Sequence, residues 1–209
     1  AGLNEQDVEI YIVNDNGLNA FVTSGQKLFI NSGLILNADD VNQIIGVIAH
    51  ETGHIAGGHL SHLQGALSRV SATSILSLIL GSAATIATNR SDIGKAIVAG
   101  GQAVAQRSFL SYSRIQESAA DIAALNLLNQ TNQSAEGLLN FLKKLSGQEL
   151  LSPTQQNPYV RSHPLTRDRI ATIARHVANS PHSGKPALGK LIDTHDRIKA
   201  KLFAFIKPT

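Results

Sequence analysis

The chain has 209 residues, of which 43% are hydrophobic, 16% charged and 4% aromatic, and its formal net charge is +3. This composition belongs to a folded globular protein with an aliphatic, helix-rich core and excludes an intrinsically disordered chain. Cysteine is absent, which excludes disulfides, thiolate metal sites and a cysteine nucleophile. Lys and Arg are scattered without interleaved aromatics, so no nucleic-acid partner is expected.

Residue 1 is Ala and no charged segment followed by an apolar one opens the chain, so the sequence reads as a mature or trimmed form. Residues 8–13 read as a strand closed by the turn-forming run Asn14-Asp15-Asn16-Gly17, and 18–23 and 27–31 as two further short strands. Asp39 or Asp40 can cap a helix over 41–63, whose Ile44, Ile45, Val47, Ile48 and Ile55 supply buried faces. A second long helix is expected over 97–128, interrupted near its start by Gly100 and Gly101. Ser134 can cap a helix reaching residue 145, Pro164 suits the first turn of one running to 179, 180–190 read as a linker, and a last helix spans 192–206. The expected fold class is therefore α+β and mostly helical, with a small antiparallel sheet ahead of the first long helix.

Residues 70–89 form a run of 20 uncharged residues between Arg69 and Arg90, long enough to cross a bilayer as a helix. Four Ser and three Thr dilute it, so the favoured expectation is a helix buried in or lying against neighbouring protein. Peripheral contact with a membrane through 70–89 is the alternative.

The string His50-Glu51-Thr52-Gly53-His54 falls inside the first long helix. Histidines at i and i+4 stand one above the other on a helix face, so both imidazoles reach a single metal ion. Glu51 is offset around the helix, where its carboxylate reaches a metal-bound water rather than the metal. Zn²⁺ suits neutral imidazoles and lowers the pKa of its water to roughly 7, and a neighbouring carboxylate can then take the water's proton. With 8 His in 209 residues, chance matches to this motif number about 0.01 per chain of this composition.

A catalytic zinc needs a third protein ligand and an open fourth position. Glu117 is the best candidate, in Glu117-Ser118-Ala119-Ala120-Asp121. Glu117 and Asp121 are i and i+4 on an otherwise apolar helix, where two carboxylates repel unless positive charge joins them. One zinc per chain at Glu117 and a metal-ligating imidazole N–H at Asp121, best assigned to His50, resolve that conflict.

His50-Glu51-x-x-His54 followed by Glu117-x-x-x-Asp121 resembles the gluzincin pattern. The flanking residues resemble the metallopeptidase family that includes the HtpX heat-shock protease, the CAAX prenyl proteases and the periplasmic BepA-type proteases. The likeness extends from Leu18-Asn19-Ala20-Phe21 to Ser162-His163-Pro164 and Arg169-Ile170. It implies a zincin-type domain whose edge strand at Asn19 and Ala20 pairs with the substrate backbone, as a free strand edge can. It also implies that His163 and Arg169 stabilise the oxyanion formed when water attacks; a helix cap and a surface ion pair are the plainer readings of these two. His163, beside the open metal position, could also block it in the resting enzyme. His59, His62, His176, His182 and His195 read as surface or packing residues.

HtpX and the CAAX proteases span membranes several times, and this chain shows no clear span, which favours the BepA-like branch. That branch implies a periplasmic location, unfolded or misassembled envelope polypeptides as substrates, a link to outer-membrane assembly machinery, and tetratricopeptide repeats after the catalytic domain. Residues 1–180 are expected to be that domain, and 181–209 a linker and helix at the start of a repeat region. The resulting expectation is a zinc metalloendopeptidase acting in protein quality control. A scaffold or chaperone with a structural zinc, and a membrane-embedded protease of the CAAX type, are the rivals.

Overall fold

In the computed structural model, residues 7–152 and 154–206 are described. Three short strands come first: β1 (Glu9–Val13), β2 (Ala20–Thr23) and β3 (Lys27–Asn31). Their order is β1-β3-β2, with β2 antiparallel to β3 (Ala20 opposite Ile30) and β1 parallel to β3 (Glu9 opposite Lys27). The sheet is thus mixed rather than wholly antiparallel. The β1–β2 connection carries the chain past β3's place in the sheet, and the hairpin then returns β3 between the other two, running the same way as β1. Gly25 and Gln26 hold φ of 80° and 58° in that hairpin, a left-handed geometry suited to tight strand reversal.

Two helices follow directly, α1 (Ser32–Asn37) and α2 (Val41–Ala56). Ser32-Gly33 end the strand pattern and open α1. Asp40 caps α2 by accepting from the Gln43 amide at 3.1 Å, and Gln43 in turn accepts from the Asp39 amide. α2 ends earlier than the spacing predicts: Gly57 and Gly58 interrupt it, Gly58 at φ 60°, a conformation that costs glycine little.

Further on come α3 (His59–Thr88), α4 (Ser91–Gln130), α5 (Glu136–Leu145), a short 3-10 turn (Gln148–Leu150), α6 (Pro158–Ser162), α7 (Arg167–Asn179) and α8 (Gly189–Ile206). α4 passes through Gly100 and Gly101 without interruption. α7 begins at Arg167 rather than Pro164, because the Thr166 hydroxyl caps it. Sequence reading also missed α6, a single turn that Asn157 caps through the Tyr159 amide.

The chain divides into two compact units, Ala1–Gly57 with Glu117–Thr209, and Gly58–Gln116. The core of the first is aliphatic and draws Leu28 and Ile30 from the sheet, Leu34 from α1, Val47 from α2, Leu128 from α4, Leu138, Phe141 and Leu142 from α5, and Ile173 from α7. α5 packs against α2 and α7, and Lys199 of α8 donates to the Ala38 carbonyl at 3.0 Å.

The second unit holds α3 and the first part of α4. α3 is the one helix among the described residues long and apolar enough to cross a membrane, and only 11% of its most apolar window is buried. Length and composition alone make this helix able to span, and its slight burial departs from the expectation that 70–89 would be buried in or lie against neighbouring protein. Ile75, Leu76, Leu78, Ile79, Leu80 and Ile86 are all half exposed or more.

Candidate metal centre

Gly53, inside the histidine motif, has a structural task. A Cβ there would lie 2.6 Å from the Ala120 carbonyl oxygen, so only glycine lets the α2 backbone approach α4 this closely. That approach brings Glu117 beside the two motif histidines. His50 Nε2 and His54 Nε2 lie 3.1 Å apart, His50 Nε2 is 3.3 Å from Glu117 Oε2, and His54 Nε2 is 3.3 Å from Glu117 Oε1. Ligands bound tetrahedrally at about 2.0–2.1 Å stand about 3.3–3.4 Å from one another, so these separations fit one metal ion.

The donor chemistry agrees. His50 Nδ1 lies 2.9 Å from Asp121 Oδ1, which leaves the Nε2 lone pair directed to the cluster. Two imidazoles and a carboxylate face one another in a site where His50, Glu117 and His54 are all buried. Burial opposes a charge on His50, but Asp121 and Glu117 outweigh it and raise its pKa to about 9, whereas burial takes His54 down to about 4. Burial likewise pushes the Glu117 carboxyl up, and His163, His50 and His54 together hold it well below the usual range. The geometry of two imidazoles and a carboxylate converging on one point is that of a divalent-cation site. His163 completes a buried group of four with ligand atoms within 4.8 Å of one another, its Nδ1 being 3.3 Å from Glu117 Oε1.

Glu51 is wholly buried, and neither carboxylate oxygen has a hydrogen-bond partner among the described residues. His163 Nε2 lies 3.4 Å from Glu51 Oε1. Burial pushes the Glu51 carboxyl up, countered by His163 and His50. An unpaired buried carboxylate is costly, and such positions are where functional bases are found.

Arg169 is buried and fully engaged. Nε and Nη2 fork the two Asp121 oxygens at 2.7 and 2.9 Å, Nη1 lies 2.8 Å from Glu117 Oε2, and Nη1 also donates to the Pro164 carbonyl at 3.0 Å. The plainer reading of Arg169, a surface ion pair, does not hold, because its ion pairs with Asp121 and Glu117 are buried. Asp121 is shared between His50 and Arg169, and these partners outweigh burial to keep its carboxyl below the usual range.

Asn19 immediately precedes β2 and Ala20 opens it, an edge strand with β3 as its one strand partner among the described residues. Ala20's side chain is buried and the Asn19 carbonyl accepts from the Asn31 amide. The Asn19 side chain approaches Ser162, next to His163, at 3.5 Å. His163 ends α6 as its C-cap instead of opening the following helix, its amide donating to the Tyr159 carbonyl at 2.8 Å.

Sequence reading missed Tyr159. It is fully buried, stacks on His163 with centroids 4.5 Å apart at 27°, and meets Phe141 edge-on at 5.0 Å. Its hydroxyl has no partner among the described residues, and burial, reinforced by Glu51, raises its pKa well above 10. The available signal was spacing, since an aromatic four residues before a functional histidine shares its helix face.

This fold and site define a metallopeptidase domain, with the motif helix, a carboxylate from a second helix and a buried carboxylate beside them. The model of peptidase family M48 matches residues 1–177, and the chain belongs to that family. It is 27% identical over 176 residues to a beta-barrel assembly-enhancing protease of Yersinia pestis, covering 82% of this chain and 35% of that protein. It is 30% identical over 178 residues to metalloprotease YcaL of Escherichia coli K12, covering 85% and 63%. Against the mitochondrial metalloendopeptidase OMA1 of Schizosaccharomyces pombe it is 23% identical over 207 residues, covering 93% and 57%. The chain thus spans about a third of the length of the first of these relatives.

Proposed function

We propose that residues 1–180 are the catalytic domain of a zinc-dependent metalloendopeptidase that cleaves unfolded or misassembled polypeptides in the bacterial envelope, with 181–209 a linker and helix. The observation that carries this is the 3.1–3.3 Å convergence of His50, His54 and Glu117 beside the unpaired carboxylate of Glu51. Those three residues would hold the zinc, which supplies Lewis acidity to the attacking water and the scissile carbonyl. Glu51 takes the proton of the attacking water and returns it to the leaving amine. Asp121 fixes the His50 ring by accepting from Nδ1.

Arg169 is a positioning residue in this reading, since its guanidinium is spent on Asp121, Glu117 and Pro164. It acts through them instead of touching the oxyanion. His163 is the oxyanion partner, oriented by the Tyr159 ring. The free edge of β2 at Ala20 aligns an extended peptide, with Asn19, whose carbonyl is held by the Asn31 amide, beside it, and this favours unfolded over folded substrates.

A second reading of His163 rests on its membership of the four-residue ligand group: it occupies the fourth metal position in the resting protein and leaves when substrate enters. A periplasmic location and a link to outer-membrane assembly are part of this reading, and the likeness to beta-barrel assembly-enhancing proteases favours them. Metal analysis combined with peptide cleavage by wild type and Glu51→Gln tests the proposal. Absence of stoichiometric zinc, or cleavage by Glu51→Gln at the wild-type rate, would overturn it.

A further inference from the structure

The unit Gly58–Gln116 is built inside out for water. At 100° per residue, Ile75, Leu76, Leu78, Ile79 and Leu80 cover about 200° of the α3 circumference, and all five are at least half exposed. The opposite face carries Ser77, Gly81 and Thr85, and these small residues are what α3 presents to α4. A Cβ on Gly81 would meet Val98 at 2.6 Å and the Gly94 carbonyl at 2.7 Å, one on Gly94 would strike Thr85, and one on Gly101 would strike Ser77. Helix pairs in water place their large apolar side chains between them and their polar ones outside. Close approach through small residues, with large apolar side chains turned outward, is how helices pack in lipid.

The hydroxyls in α3 fit the same surroundings. Thr73 donates to the Arg69 carbonyl at 3.0 Å, Ser77 to Ser74 at 2.8 Å, Thr85 to Gly81 at 2.9 Å and Thr88 to Ala84 at 2.6 Å. Hydroxyls satisfied within their own helix no longer require water, so the Ser and Thr content that argued against a membrane segment carries less weight.

Charge points to the kind of membrane. The unit has five basic residues, Arg69, Arg90, Lys95, Arg107 and Arg114, against one acidic residue, Asp92, for a net +4. The whole chain carries +3, so the rest of it sums to −1. The basic residues bracket the uncharged run 70–89 and leave the apolar stretch between them.

We propose that the α3–α4 hairpin of residues 58–116 inserts into an anionic lipid bilayer. A protein partner covers one stripe of a helix, whereas lipid covers the whole outward arc seen here, which favours lipid over a second copy of the chain. The test uses the full chain with phosphatidylcholine vesicles, with and without phosphatidylglycerol, separated by flotation. The chain is expected to float, to resist a high-salt wash, and to partition about tenfold more strongly when phosphatidylglycerol is present. Replacing Leu76, Ile79 and Leu80 together by Ser is expected to weaken partitioning about a hundredfold or more, with metal content and peptide cleavage unchanged. Because the chain has no cysteine, Ile79→Cys carrying an environment-sensitive fluorophore reads the same event in an otherwise intact protein, and a blue shift on adding vesicles is expected. A chain that stays at the bottom of the gradient with no spectral shift overturns the proposal. A discrete oligomer formed without lipid and dissolved by the triple serine variant also overturns it and assigns the apolar arc to a second copy. Neither result bears on zinc content or cleavage, which are read separately.

Discussion

The guanidinium of Arg169 forks the carboxylate of Asp121, with Nε donating to Oδ2 at 2.7 Å and Nη2 to Oδ1 at 2.9 Å, and the same carboxylate lies 2.9 Å from His50 Nδ1. Arg169, 48 positions from Asp121 in sequence, therefore sets the orientation of a motif histidine through one shared anion. Lysine cannot reproduce this fork, because its ammonium is a single point charge. Arg169→Lys is expected to weaken zinc binding roughly 10–100-fold, measured by competition with a chromogenic chelator, and to recover much of its activity at saturating zinc. Unchanged zinc affinity with kcat reduced by orders of magnitude would place Arg169 on the reacting carbonyl instead.

Glu51→Gln keeps the shape of the side chain and removes its capacity to accept a proton. Zinc content and thermal stability are expected to stay near wild type while kcat falls about 10²–10⁴-fold. Burial raises the Glu51 pKa, so the neutral amide relieves a desolvation cost, and a marked loss of stability in this variant would contradict the environment described.

Removal of the metal should show in the melting temperature. An ion that binds only the native state, at a thousand times its Kd, adds about 4 kcal/mol of stability. Chelator treatment is expected to lower the Tm of the wild-type protein and to leave Glu117→Ala unaffected, since that variant should already lack stoichiometric zinc. Undiminished zinc in Glu117→Ala would remove Glu117 from the ligand set.

His163→Ala separates the two roles considered for that imidazole. Loss of an oxyanion partner is expected to reduce kcat about 10²–10³-fold with little change in KM. A rise in activity would show that His163 blocks the metal in the resting protein.

Tyr159 offers a control on packing. Its hydroxyl has no partner among the described residues, so Tyr159→Phe is expected to keep the stack on His163 and to match or slightly exceed wild-type stability. Tyr159→Ala removes the stack and leaves a cavity beside Phe141, at a cost of about 3–5 kcal/mol, read by denaturant unfolding. If Tyr159→Phe lost most of its activity, the hydroxyl would have a part in the reaction.

Much of the site was legible without a structure because it is local. His50, Glu51 and His54 are placed by the pitch of a single helix, and Glu117 with Asp121 by another, so residue type and spacing suffice to point them at one centre. The same holds for the Asp40 cap and for the strands β2 and β3, whose apolar residues and turn are read within a few positions. What tertiary structure decided is how distant segments meet. The parallel pairing of β1 with β3 depends on where a loop carries the chain. The capture of Asp121 by Arg169 depends on where α7 packs against α4, and the stacking of Tyr159 on His163 depends on the single turn of α6. Exposure is also invisible to composition: 70–89 reads as apolar with hydroxyls, a pattern equally suited to a buried helix. Only the packing of Gly81 and Ser77 toward α4 shows that the Ile and Leu side chains face outward, because small residues allow the close approach that turns the large ones away.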